Sequence, residues 1–165
     1  MQSQEEKLLT TYGMLMKASA RKKIYSQKAI KEGHEAAGRL LRAVSVSEAV
    51  QARRILNLLK GPIDLSEEYL STIFEQEITP VLQQYTQNIE DLSQAGIPSI
   101  PQVLKQLWSA ERHLKSFYSN DTEDISIEED DRLYVCNFCG YMSVNNAPDS
   151  CPLCRAEKKA FKQID

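Results

Sequence analysis

The chain has 165 residues, of which 42% are hydrophobic and 26% charged, and carries a formal net charge of −3. That is enough apolar material for a folded core, which excludes a wholly disordered chain. No stretch of eighteen apolar residues occurs, so no membrane-spanning helix is expected. The start of the chain, Met1 to Lys7, lacks the pattern of a signal peptide, and a cytoplasmic location is expected.

Charge is placed unevenly. From Lys17 to Lys60 there are eleven basic residues against three acidic ones. From Gly61 to Asp131 there are three basic against fifteen acidic. Such a division suits solvated helix faces of opposite sign that attract when packed; the alternative is a basic docking surface for an acidic partner. The basic residues lack the aromatic interleaving of a nucleic-acid reader, so nucleic acid is not expected as a partner.

Four helical segments follow one another. The first spans residues 5–32, without proline, and places Leu8, Tyr12, Leu15 and Ser19 at helical spacing. Gly33 allows a break, and His34 falls on the turn, where it is expected at the surface. The second helix has the stripe Ala37, Leu41, Val44, Glu48, Gln51, Ile55 and Leu58, closed by Lys60-Gly61-Pro62. Ser66, followed by Glu67 and Glu68, caps the third. Its inward stripe is Leu70, Phe74, Glu77, Val81, Tyr85, Asn88 or Ile89, and Leu92. Pro80 should kink this helix, and Ala95-Gly96-Ile97-Pro98 should end it. The fourth runs from about Ile100 to Ser119, with Leu104, Leu107, Glu111, Leu114 and Tyr118 inward. Four such helices predict a mostly α, antiparallel four-helix bundle, with room for a long crossover between the second and third. Residues 120–131 are acidic and poor in aromatics, as in a linker. The expected domains are therefore a bundle over 1–119, an acidic linker over 120–131 and a small module over 132–165.

All four cysteines lie in that module, as Cys136-x-x-Cys139 and Cys151-x-x-Cys154 with eleven residues between the pairs. Each C-x-x-C turn lets two thiolates converge on one ion, and two facing turns supply a tetrahedral four-sulfur site. Disulfides do not suit a chain without a secretory signal. A thioredoxin-type redox motif would need a βαβ context that is missing. Thiolate chemistry admits either iron or zinc.

The surrounding residues carry a resemblance. Tyr134-Val135-Cys136-Asn137-Phe138-Cys139-Gly140-Tyr141, then Ala147-Pro148, Cys151-Pro152-Leu153-Cys154 and Phe161, look like the rubredoxin-like domain of rubrerythrins. Lys28-Ala29-x-Lys31-Glu32-Gly33, Leu58-Leu59-Lys60-Gly61 and Glu77-x-x-Pro80 resemble that family's helices. The similarity covers nearly the whole chain. It implies a ferritin-like four-helix bundle followed by a rubredoxin-like four-cysteine metal module with one iron. In that family the bundle holds a di-iron site that reduces hydrogen peroxide, supplied with electrons from the four-cysteine iron.

Such a site needs carboxylates from four helices and Glu-x-x-His on two of them, because both members of an i, i+3 pair face the core. By the resemblance, Glu48, Glu77 and Glu111 keep ligand positions. Leu15, Gln51, Phe74 and Leu114 stand where the family has other ligands. His113 neighbours the lost position at Leu114 but points roughly 100° away around the helix, so it does not substitute easily. Lys22, two turns beyond Leu15, is expected to pair with Glu77 or a neighbouring carboxylate and to replace part of the lost metal charge. No di-iron centre and no peroxidase activity are expected. The chain reads as an electron-transfer or redox-partner protein with one iron held by four cysteines and a homodimeric bundle. The alternative is a non-redox adaptor holding structural zinc.

Overall fold

Four long helices precede a small β-containing module in the computed structural model, which describes residues 3–60, 72–96, 99–119 and 124–164. The helices are α1 (Gln4–Lys31), α2 (Glu35–Lys60), α3 (Ile78–Gln94) and α4 (Ser99–Lys115), and a π-helical segment, Thr72–Glu77, leads into α3. The strands are β1 (Tyr118–Ser119), β2 (Asp124–Ile125), β3 (Leu133–Cys136), β4 (Met142–Val144) and β5 (Phe161–Ile164). The mostly α class expected from periodicity is the class found. The chain divides into two compact units, Met1–Asp64 and Leu65–Asp165.

The first unit is the hairpin of α1 and α2. Ser3 and Glu6 start α1 by exchanging bonds: the Glu6 N–H donates to Ser3 Oγ and the Ser3 N–H to Glu6 Oε2. Two of the orphan amides of a helix start are thereby satisfied. The other end closes in a Schellman turn, with Gly33 at φ 86°, its N–H donating to the Ile30 carbonyl and the His34 N–H to the Ala29 carbonyl. Only glycine adopts that backbone without strain, which is why the chain reverses there. His34 is exposed on this turn.

Small residues seven apart zip the two helices together. Ser19 Oγ donates to the Ser45 carbonyl and Ser45 Oγ to the Ser19 carbonyl, each at 2.8 Å. Ser26 Oγ donates to the Gly38 carbonyl at 2.7 Å. Ser19, Ser26, Ser45 and Ala52 are all buried. The spacing between packed helices depends on the side chains at the contact, and here only small ones allow hydroxyls to reach across. This corrects the expected stripe of α2: Ala37, Gln51 and Leu58 are exposed, and the seam runs through Gly38, Ser45 and Ala52 instead. A Cβ added at Gly38 would collide with Ile30 Cγ1 and lie 3.1 Å from the Ser26 carbonyl oxygen. Gly38→Val is therefore expected to destabilise the hairpin by roughly 1–3 kcal/mol through overpacking. Gly13 on α1 has open space around it, and Gly13→Ala should stabilise by about 0.5–1 kcal/mol. Thermal denaturation of both variants checks the opposite signs.

The second unit starts with the π segment. Pro80 cannot donate to the carbonyl four residues back, at Gln76, and its ring would crowd that carbonyl. The expected kink takes the form of a change of helical repeat at Glu77–Ile78, from π to α. Ile78 on α3 and Pro101 and Ala110 on α4 are buried. The fourth helix ends at Lys115 rather than at Ser119. Its last carbonyls accept from Ser116 and Phe117 in tightened turns, and Tyr118–Ser119 then pairs antiparallel with β2. Tyr118 is still buried, because it stacks on Phe74 with ring centroids 5.5 Å apart. The expected cap at Ser66 with Glu67 and Glu68, the Gly61-Pro62 stop, Leu70 and the Ile97-Pro98 pair lie outside the described residues. The module is a three-stranded antiparallel sheet in the order β4-β3-β5, pairing Val135 with Met142 and Cys136 with Phe161.

Candidate metal centre

Two tight turns present the four thiols. In the first, the Gly140 N–H donates to the Cys136 carbonyl at 2.9 Å, with Gly140 at φ 81°. In the second, the Arg155 N–H donates to the Cys151 carbonyl at 2.9 Å, with Arg155 at φ 65°. The two knuckles thus share one plan, although a residue with a Cβ takes the left-handed position in the second. The sheet and one bond from Asn137 N–H to the Ala160 carbonyl, 2.9 Å, fix the first knuckle against the tail.

All four sulfurs lie within 4.8 Å of one another. Cys136 and Cys154 are 3.7 Å apart and Cys139 and Cys151 are 3.6 Å apart. A tetrahedron with metal–sulfur bonds of about 2.3 Å has edges of about 3.8 Å. The thiols therefore fit a single four-coordinate ion. Among the described residues this is the one group of three or more potential ligands close enough to hold a metal.

Burial and backbone N–H donors act against one another on these thiols. Burial pushes the Cys139 thiol well above the usual range, opposed by the Tyr141 N–H that donates to its sulfur. Burial likewise raises Cys154, opposed by the Ala156 N–H. Burial acts on Cys151 too, but the N–H groups of Cys154 and Leu153, together with the thiols of Cys154 and Cys139, hold this thiol below its usual range. Buried sulfurs carrying charge need such donors or a cation. Cys136 and Cys151 are 1% and 0% exposed, while Cys154 is only half-buried and Phe138, inside the first knuckle, is 73% exposed. One edge of the centre therefore faces outward.

The module packs on α4 as well. Leu107 joins Tyr141, Leu153 and Phe161 around the cysteine cluster. His113 stacks on Tyr141, with centroids 4.6 Å apart and planes 17° apart, and its Nε2 lies 2.9 Å from the Met142 carbonyl oxygen. Neither contact is signalled by the sequence. The only hint is that His113 points away from the position of Leu114.

The residues singled out on the helices fall into two groups. In the first unit, Lys22 Nζ meets both carboxylate oxygens of Glu48, at 2.7 and 2.8 Å. Leu15 is half-buried on α1, and Gln51 is exposed, donating to Ser47 Oγ at 3.3 Å. In the second unit, Phe74, Glu77, Glu111 and Leu114 line one cavity of about 410 Å³ together with Ile78, Val81 and Met142. Burial raises the Glu111 carboxyl above its usual range. Four of the seven positions thus share a largely apolar pocket. Apolar side chains at two of them leave few donors for a metal.

Comparison with known proteins places these features together. Residues 134–162 match the rubredoxin-like domain of rubrerythrin. Rubrerythrin-2 of Clostridium acetobutylicum is 24% identical over 173 residues, spanning 94% of this chain and 93% of that relative. Solved structures of nigerythrin, one partially reduced and one fully reduced and all ferrous, are each 22% identical with a TM-score of 0.53. Each alignment covers 99% of this chain and 88% of nigerythrin.

Proposed function

We propose that this chain is a rubrerythrin-like protein, supported by the match of its module to the rubredoxin-like domain of rubrerythrin and by its likeness to Rubrerythrin-2 along the chain, and that it acts as an electron-transfer or redox-partner protein. Its working centre is the four-thiol site, held by Cys136, Cys139, Cys151 and Cys154. Iron bound there supplies a one-electron couple. The observation that carries the reading is a four-thiol site with N–H donors on its sulfurs and one edge turned outward. The donors spread the charge of the thiolates, which is a lever on reduction potential. Cys154 and Phe138 give a partner redox protein a place to approach. Residues 1–119 serve as a homodimeric platform, 120–131 as the connection and 132–165 as the metal module, and the protein works in the cytoplasm.

The bundle is proposed to have lost its di-iron chemistry. Peroxide reduction at paired metals needs bridging and terminal ligands with open positions for substrate. Leu15, Phe74 and Leu114 offer no donor atom, and Glu48 is engaged by Lys22.

Metal analysis and absorption spectroscopy of the purified full chain test the proposal. One iron per chain is expected, with a colour that bleaches on reduction with dithionite and returns in air. A colourless protein containing zinc would establish the adaptor reading instead. Rapid metal-dependent peroxide consumption that disappears in Glu48→Ala would restore a peroxidase.

A further inference from the structure

The histidine on α4 reaches the metal module through two consecutive residues. Its ring lies flat against the Tyr141 ring, and its Nε2 faces the Met142 carbonyl oxygen. A carbonyl can only accept, so Nε2 carries the hydrogen. Phe117 meets the same imidazole edge-on, with centroids 5.0 Å apart. The side chain is therefore fixed by three contacts.

Tyr141 in turn holds the first knuckle by its backbone. Its N–H donates to the Cys139 sulfur, and its carbonyl accepts from the Cys136 N–H at 2.9 Å. Both peptide planes that flank Tyr141 are thus engaged, one on a ligand sulfur and one beside the residue that His113 grips. We propose that His113 is a positioning residue for the metal centre: by clamping Tyr141 and Met142 onto α4 it sets the N–H bond to the Cys139 sulfur and thereby the reduction potential of the site.

The potential part of this inference rests on the electron-transfer reading; the positioning part rests on geometry alone. A sulfur carries more negative charge in the reduced state, so a well-aimed N–H favours reduction. Loosening the donor lowers the potential. Alanine on α4 is a good helix former, so His113→Ala should leave the helix intact.

Two measurements on the full chain test the proposal. In the iron-loaded protein, His113→Ala should lower the reduction equilibrium constant two- to tenfold, a fall of about 18–59 mV at 59 mV per decade for one electron. In the cadmium-loaded protein, the Tyr141 amide should exchange several-fold faster and the cadmium-113 resonance should move. His113→Gln keeps an N–H donor and should recover part of both changes. The proposal is overturned if His113→Ala leaves amide exchange and potential at wild-type values, or if His113→Gln recovers neither. A wild-type centre that takes up no electron defeats the electron-transfer reading and the potential part with it. The cadmium measurements then decide the positioning role by themselves.

Discussion

Cys151→Ser is expected to release the bound metal and to unfold residues 132–165 while the helices persist. The buried cluster of this module is formed by Cys136, Cys139 and Cys151, the ligands themselves, with Tyr141, Leu153 and Phe161 packed around them. A segment of about thirty-four residues buries too little surface to fold on packing alone. Metal affinity is then folding energy, on the order of 10–16 kcal/mol for small four-ligand sites. A serine hydroxyl is a poor ligand beside three thiolates, and at 0% exposure Cys151 has no water to replace it. The thiols of Cys139 and Cys154, raised by burial, would keep their protons once the metal left. Metal content should fall from one ion per chain to nearly none. Limited proteolysis should remove the tail, with helical circular dichroism retained. If the tail of the metal-free variant resists protease as the wild type does, contacts such as Leu107 and His113 on α4 are enough to fold it, and the metal is not its core.

Some of this is legible in the chain and some is not, for physical reasons that differ by residue. The C-x-x-C pairs are legible because metal ligation imposes residue type and spacing together, and the thiols do converge. Helix existence is legible from the 3.6-residue period. The end of α4 is not, since Tyr118 is buried whether it continues a helix or turns into β1 to stack on Phe74. A hydrophobic period records burial, not backbone conformation. The seam of α2 escapes for the opposite reason. Gly38, Ser45 and Ala52 carry almost no hydrophobic signal, and what they provide is closeness, which shows only once Ser19 and Ser26 are seen opposite them. Helical register relates His113 to its neighbour Leu114, but its partners are Tyr141 and Met142, nearly thirty residues away. Local pattern cannot reveal a contact of that separation.

Lys22→Met is expected to destabilise the first unit by roughly 1–3 kcal/mol, because it strands a half-buried carboxylate. Glu48 has both oxygens within 2.8 Å of Lys22 Nζ, and its side chain is 18% exposed against 30% for the lysine. Partial access to water screens the pair, so the loss should fall below the roughly 3–5 kcal/mol typical of fully buried pairs. The pair joins α1 to α2 one turn from the Ser19–Ser45 seam, so it acts where the helices already touch. Resemblance to the family gives Glu48 the position of a metal ligand. Here an ammonium group on the same chain faces that carboxylate. The double variant Lys22→Met/Glu48→Leu separates this account from simple packing. Removing both charges leaves no ion to strand, so it should regain most of the stability lost by Lys22→Met alone. Denaturant midpoints for the two single variants and the double variant give the coupling. An unchanged midpoint in Lys22→Met, or a double variant no more stable than that single one, would show that the ion pair contributes no more than a surface contact.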